Sequence, residues 1–425
     1  MPRHSSLATP IKIAFFNRCY WPDSEATGQL LQDLGEHLAS AGHDVHVVCG
    51  QPNSPQPGVD FVTHGTQIHH GVTIHRLKHS QFNKRSSAGR LLNLLSFSRA
   101  TKRYLKRSGF VADVFVCETD PFLLPPIVAN HTRAVGGRFI AYLQDIYPDV
   151  AEAIGKAKPG RVTRLIRNQL RSAYRNADQI IVLGSCMKDR LVGPTWSLDG
   201  DRIHIIPNWA DCEQIKPIGH QDNSLRREWN IDDRFVVMHS GNMGLTQQLD
   251  VLIKATADPA WPEQALLLLV GDGAARATLQ QLAKALDDSA GPSPQSARVR
   301  FLPYQPREKL AESLSAADVH VVSMHEQITG CLCPSKLYGI LAAGRPVLAI
   351  APESTDLART TRQHRIGEVC RPGDAATIAR HVAAFACRSR DQTEIQQQSA
   401  RQLAERDYDK PVCLQQLTSL LSRKV

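Results

Sequence analysis

The sequence predicts a doubly wound α/β protein of two parallel-sheet domains, and three observations carry that expectation. Short runs of Val, Ile and Leu recur along the 425 residues, with helical patterns between most of them. Strands that read as continuous apolar runs are buried on both faces, as in a parallel sheet. The runs fall into two series, separated by the polar stretch 209–233 with Pro217, Gly219 and mixed charge. The chain is also too long for one hydrophobic core, so two or three domains are expected.

The first series opens at 11–17, Ile-Lys-Ile-Ala-Phe-Phe-Asn, as a buried strand. A turn from Trp21 to Gly28 leads into a helix over 27–41. Its Leu30, Leu31, Leu34 and Leu38 share one face, and Gly42 stops it. A strand at 44–50 completes a βαβ unit, and further strands are expected at 72–77, 112–117, 138–143, 179–183 and 202–206. The second series places strands at 235–239, 266–270, 299–302, 319–323, 346–350 and 367–370, and a polar helix over 390–423 closes the chain. Ligands of such sheets bind beyond the carboxyl ends of the strands.

Hydrophobic residues at 42% and charged residues at 21% fit a soluble globular enzyme and argue against disorder. No run approaches the ~20 apolar residues of a spanning helix. Residues 1–10 lack the apolar segment of a secretory signal. Of the ten cysteines none forms Cys-x-x-Cys, and the pair Cys331 and Cys333 lacks a second half, so no zinc site is expected. Buried thiols in a reducing cytoplasm fit this pattern. The histidines, His69-His70 included, show no ligand spacing, and no metal is expected.

The net charge of +9 is concentrated. Lys84, Arg85, Arg90, Arg99, Lys102, Arg103, Lys106 and Arg107 lie in one acid-free segment. The stretch 87–109 reads as a helix with Leu94, Phe97, Tyr104 and Leu105 on one side and most of the basic residues opposite, while Leu92 and Leu95 fall inside the basic arc. A solvated cationic face is one reading. A helix on an anionic membrane is another, with Arg99, Lys102, Arg103 and Lys106 toward the headgroups. Nucleic acid is the weaker third, because no stacking aromatics or nucleic-acid-binding motif accompany the charge.

Three stretches point to a nucleotide diphosphate. Pro334-Ser335-Lys336-Leu337 opens a short helix, capped by Ser335 and ended by Gly344 and Pro346, with Leu337, Ile340 and Leu341 inward. Lys336 in its first turn adds a full charge beside free N–H groups. A core helix with a surface lysine is the other reading of that stretch. Gly241-Asn242 and Gly271-Asp272-Gly273 follow the first two strands of the second series, where glycines let backbone N–H groups approach a ligand. In the first series Thr27-Gly28 follows strand one. Asp145 lies at another strand end, where it serves either to position a substrate hydroxyl or as a loop acid.

The set Tyr20-Trp21-Pro22-Asp23, Gln144-Asp145-Ile146-Tyr147-Pro148, Ile206-Pro207-Asn208-Trp209-Ala210-Asp211, His239 to Gly244, Val270-Gly271-Asp272-Gly273 and Pro334 to Pro346 resembles, in order and spacing, glycosyltransferase family four. These are retaining nucleotide-sugar enzymes of the GT-B fold. Within the family the chain is similar to the branch of bacterial exopolysaccharide and O-antigen assembly that includes the colanic acid transferases. The resemblance implies two Rossmann-like domains with an interdomain cleft. It assigns 1–208 to the acceptor and 234–389 to the nucleotide sugar, with 209–233 as linker and 390–425 as a helix crossing back. It implies no metal or cofactor. Gly241, Asn242, Gly271, Gly273, Pro334, Ser335, Lys336 and Leu337 would line the donor site, with Lys336 offsetting diphosphate charge. Thr27 and Gly28 would lie near the phosphates or the acceptor. Asn242 and Gln247 stand where many members have Arg and Lys, Gln144 or Asp145 where many have His, and Glu326 and Gly339 where many have paired glutamates.

The expected protein is therefore a cytoplasmic transferase held on the inner face of the cell membrane. It moves a sugar from a nucleotide-diphosphate donor, UDP foremost, to a polyprenyl-diphosphate-linked saccharide, with Lys336 and Asp145 as catalytic residues and no nucleic-acid partner. Two other readings stay open: a UDP-sugar epimerase on the same fold, and a degenerate scaffold that binds nucleotide without turnover.

Overall fold

A computed structural model of the protein describes residues 10–56, 58–82, 87–244, 247–289 and 298–423. Lys84 and Arg85 of the basic segment lie outside the described residues. The chain divides into two units, one of residues 1–206 with 414–425 and one of residues 207–413.

The first unit is built on an eight-stranded sheet. Its strands are β1 (Lys12–Phe16), β2 (Asp44–Cys49), β3 (Gly65–His69), β4 (Val72–Arg76), β5 (Val114–Glu118), β6 (Arg138–Tyr142), β7 (Gln179–Val182) and β8 (Ile203–Ile205). They lie in the order β3-β4-β2-β1-β5-β6-β7-β8. All pairings are parallel except β3 with β4. Ile13, Ala14, Phe15 and Phe16 of the central β1 are fully buried, which is why that strand is apolar at consecutive positions. β3 was not expected: its Gly-Thr-Gln-Ile-His sequence is mostly exposed, as an edge strand allows.

The second unit carries a six-stranded, all-parallel sheet. Its strands are β9 (Phe235–Ser240), β10 (Ala265–Val270), β11 (Val299–Leu302), β12 (Val319–Ser323), β13 (Val347–Ile350) and β14 (Gly367–Cys370), in the order β11-β10-β9-β12-β13-β14. The chain reverses direction across each sheet at one place, between β1 and β5 in the first and between β9 and β12 in the second. A crevice opens at such a reversal, and ligands enter there. The stretch 209–233 is packed with the second unit. Leu225, Trp229 and Ile231 are buried with Val236 and Met238, and the buried Arg226 donates to the carbonyls of Ile231, Arg234 and Ala316.

The closing helix is broken, not continuous. It runs over Arg390–Leu403, passes through a π turn at Ala404–Tyr408, and restarts as Lys410–Leu421. Pro411 explains the restart, because proline is tolerated only in the first turn of a helix.

Asp149 ties three helices of the first unit together. Its buried carboxylate accepts from Arg167 Nε at 3.0 Å, Arg190 Nη1 at 2.9 Å and Trp196 Nε1 at 3.1 Å. Removing one partner of a buried ion pair leaves the other uncompensated, so Asp149→Ala should lower the unfolding free energy by about 3–5 kcal/mol, read from the urea midpoint.

Candidate active site

The reversal point of the second sheet assembles the side chains expected to meet a nucleotide. β9 ends in His239 and Ser240, just before Gly241, and β10 ends before Gly271. The helix Lys336–Ala342 follows β12. Lys336 Nζ lies 3.1 Å from His239 Nε2, and a Cβ on Gly241 would lie 3.6 Å from the same Nζ. Burial pulls the Lys336 ammonium down to about 7. His239 is fully buried and is held well below its ordinary value, first by burial and then by the charge of Lys336. A neutral imidazole facing an ammonium accepts a hydrogen bond through Nε2, and the Asn242 carbonyl oxygen lies 3.4 Å from the same nitrogen.

The N–H groups of the glycines have partners within the chain. The N–H of Gly241 donates to Val270 O at 2.9 Å, that of Gly271 to Leu302 O at 3.0 Å, and that of Gly273 to Asp272 Oδ1 at 2.8 Å. The first two donors continue the sheet, and the third is held by the exposed neighbouring carboxylate of Asp272. The glycines also serve close approach. At Gly271, with φ of +135°, a Cβ would stand 2.1 Å from the Gly241 carbonyl oxygen. On Gly273 it would stand 2.4 Å from Met243 O. The exposed Asn242 is carried on this compact turn.

The lysine helix starts and stops as its sequence says, with one correction. Pro334 O accepts from the Leu337 N–H at 3.2 Å, and Leu337, Ile340 and Leu341 are buried. Gly344, at φ +61°, donates to Leu341 O, and Arg345 N–H donates to Ile340 O; the two bonds satisfy the last carbonyls in a Schellman end. Ser335 does not cap the helix through its side chain. Its backbone is already helical at φ −59° and ψ −23°, whereas a capping serine needs extended backbone for Oγ to reach the third N–H. The helix has only seven residues, so the charge available to an anion comes mainly from Lys336. A Cβ on Gly339 would lie 3.3 Å from the end of the Leu314 side chain, which would have to shift by a few tenths of an ångström to admit it. Glu326 sits exposed in a separate short turn.

The reversal point of the first sheet gathers carboxylates around one arginine. Arg18, just past β1, donates through Nη2 to Asp120 at 2.8 Å and to Glu25 at 3.0 Å. Burial alone would lower the guanidinium, but Asp120, Cys19 and Glu25 hold it above its ordinary value. Asp145 lies past β6, half-buried, with its N–H 3.3 Å from Thr119 Oγ1. Burial, and then the charge of Asp120, push its carboxyl up to about 6. Gly28 is buried, and Cys19 and Tyr20 occupy the space 3.3 Å from where its Cβ would be, so packing of the Ala26–Ser40 helix accounts for that glycine. Thr27 beside it is half-exposed.

Among the described residues, two clusters bring together side chains of the metal-ligand type: Glu36 with His69 and His70, and Cys19 with Asp23 and Glu25. In the first, His70 Nδ1 lies 3.2 Å from Glu36 within the cluster, and in the second Arg18 occupies Glu25. All ten cysteines are free thiols.

Residues 26–209 match the glycosyl transferase 4-like domain, and residues 221–402 match the glycosyl transferases group 1. The chain belongs to the GT-B glycosyltransferases of family four. It is similar to WcaI of Escherichia coli, named for colanic acid biosynthesis, at 25% identity over 420 residues, covering 96% of this chain and 98% of WcaI. It is similar to the glycosyltransferase WbjE of Pseudomonas aeruginosa at 27% identity, covering 64% of this chain and 65% of that protein. In fold it is similar to HepE of Anabaena, solved in complex with UDP, with a TM-score of 0.71, 15% identity and coverage of 97% and 100%. WaaG, a glycosyltransferase involved in lipopolysaccharide biosynthesis, gives a TM-score of 0.68 at 16% identity, covering 97% of this chain and 99% of WaaG.

The motif His239 to Gly244 contains His239 without marking a role for it, and no motif or spacing marks Arg18, Glu25 or Asp120. The transferase should bind nucleoside diphosphates in a pH-dependent way through Lys336. Below about pH 7 the empty site already holds the ammonium. Above it, binding must take up a proton, so the affinity for UDP should fall toward tenfold per pH unit. Calorimetry between pH 6 and pH 9 reads that slope, and Lys336→Met should flatten it.

Proposed function

We propose that the transferase retains anomeric configuration, works without a metal, and moves a sugar from a UDP-sugar to a polyprenyl-diphosphate-linked saccharide in bacterial polysaccharide assembly. The observation that carries the reading is the Lys336 ammonium, set against neutral His239 at the reversal point of the second sheet, where the glycine turns clear space. Transfer breaks the bond between the anomeric carbon and the diphosphate oxygen. The leaving group gains negative charge as that bond opens, and a preorganised cation stabilises it. Lys336 is that cation. The acceptor oxygen then bonds to the anomeric carbon on the face the diphosphate leaves.

Asp145 is assigned to the acceptor hydroxyl. A carboxyl raised to about 6 is ionised near neutrality yet retains affinity for a proton, which suits it to position or accept the hydroxyl hydrogen. The similarity to WcaI and WaaG supports a glycan acceptor, and the UDP seen in HepE supports UDP as the nucleotide.

The transferase is further assigned to the cytoplasmic face of the membrane. Among the described residues no helix is long and apolar enough to cross a bilayer. The basic helix, Ser87–Ser108, exposes Arg99, Lys102, Arg103 and Lys106, while Phe97 and Leu105 are buried. Exposed cations on such a helix meet anionic headgroups.

Calorimetry with UDP, GDP and ADP tests the donor assignment. UDP should bind selectively, and Lys336→Ala should weaken it by about 1–3 kcal/mol, the cost of losing a charged hydrogen bond. Selective binding of GDP or ADP would change the donor, and no nucleotide binding at all would favour the degenerate scaffold.

A further inference from the structure

The first unit has a groove on its helical surface that the reactions above do not use. It lies between the basic helix and the helices Leu124–Val135 and Arg161–Arg175, with a cavity volume of about 730 Å³. That is the size of a small-molecule site. Its floor is apolar and includes Leu95, Leu105, Phe122, Ile127, Ile166 and Leu170. Its rim carries Arg99, Lys102, Lys106 and Arg133, all exposed, and no acidic residue lines it.

We propose that this groove holds the first isoprenoid units of the lipid-linked acceptor, with the rim cations taking its phosphates. The proposal rests on the reading of the acceptor given above and supplies its binding site. An apolar floor with a cationic rim matches an amphiphile of hydrocarbon and phosphate. One helical turn from the lining residues Leu95 and Ile166 stand Leu91, 50% exposed, and Val162, 71% exposed, and Leu92 and Leu165 beside them are exposed as well. Exposed apolar side chains among cations are suited to enter a lipid interface, which puts the groove where a lipid tail leaves the bilayer.

The position of the groove favours the acceptor lipid over bulk phospholipid. Phe122 of its lining stacks on Tyr147 at 4.9 Å between ring centroids and 18° between planes. Tyr147 is two residues from Asp145, and it lies within electrostatic reach of both Asp145 and Arg90. One end of the groove, at Phe122, is therefore joined by a ring stack to the segment that carries Asp145. A bilayer contact needs only the prongs and the charge, whereas a chain tethered to the reacting sugar is expected to lie near that segment.

The test measures flotation of the full chain with vesicles of phosphatidylcholine and phosphatidylglycerol, with and without polyprenyl diphosphate. The wild type should bind the polyprenyl-containing vesicles at least about tenfold more tightly, because each buried methylene adds to the affinity. Ile127→Trp fills the groove and should abolish that preference while leaving binding to the plain vesicles in place. Leu95→Trp repeats the test from the opposite wall, and the thermal midpoint of each variant checks that it folds. A preference that survives both variants overturns the groove and leaves the lipid-linked acceptor standing. If the wild type shows no preference, the acceptor reading itself fails. Loss of binding to both kinds of vesicle in the folded variants would give the groove to bulk membrane and overturn the isoprenoid assignment.

Discussion

How closely two strand ends approach one another governs the second unit's pocket. A Cβ on residue 271 would stand 2.1 Å from the Gly241 carbonyl oxygen, so β9 and β10 can end side by side only with glycine there. That contact fixes where the chain after β9 turns. The turn in turn leaves the space into which Lys336 reaches from the helix after β12, until its ammonium meets His239. The lysine is held by burial and one imidazole, not by a carboxylate. An acid in that place would have kept the charge but spent it within the protein; the histidine leaves it for a ligand.

The first unit solves the opposite problem. Its reversal point is rich in carboxylates, and Arg18 is shared between Glu25 and Asp120. Asp120 thus faces a cation on one side and raises the carboxyl of Asp145 on the other. Asp149, four residues further along, has the same side chain and another fate. Two arginines and an indole N–H saturate it, so it holds helices together. Environment separates the two acids, since their residue type does not.

Much of the fold was legible because parallel sheets write themselves as apolar runs. The order of Val, Ile and Leu stretches gave thirteen of the strands, and only the polar edge strand Gly65–His69 escaped, since half of an edge strand faces water. The lysine helix and its glycine stop were readable from short spacings. The bond between Arg18 and Asp120 was not, because 102 residues separate them and only the adjacency of β1 and β5 brings them together. The packing around the glycines was hidden for a related reason: a sequence shows that a side chain is missing but not what fills the place, and at Gly271 a neighbouring strand's backbone does. Ser335 failed as a cap because its own backbone had already entered the helix.

Burial pulls the Lys336 ammonium down to about 7, so without a ligand its charge is only partial near neutral pH. Free inorganic phosphate then meets only that partial charge. The charge is completed only when a bulkier diphosphate arrives with enough other contacts to draw a proton from solvent. Each catalytic cycle would accordingly borrow a proton on donor entry and return it when the nucleotide leaves, and the heat of binding would carry the signature of whichever buffer supplies it.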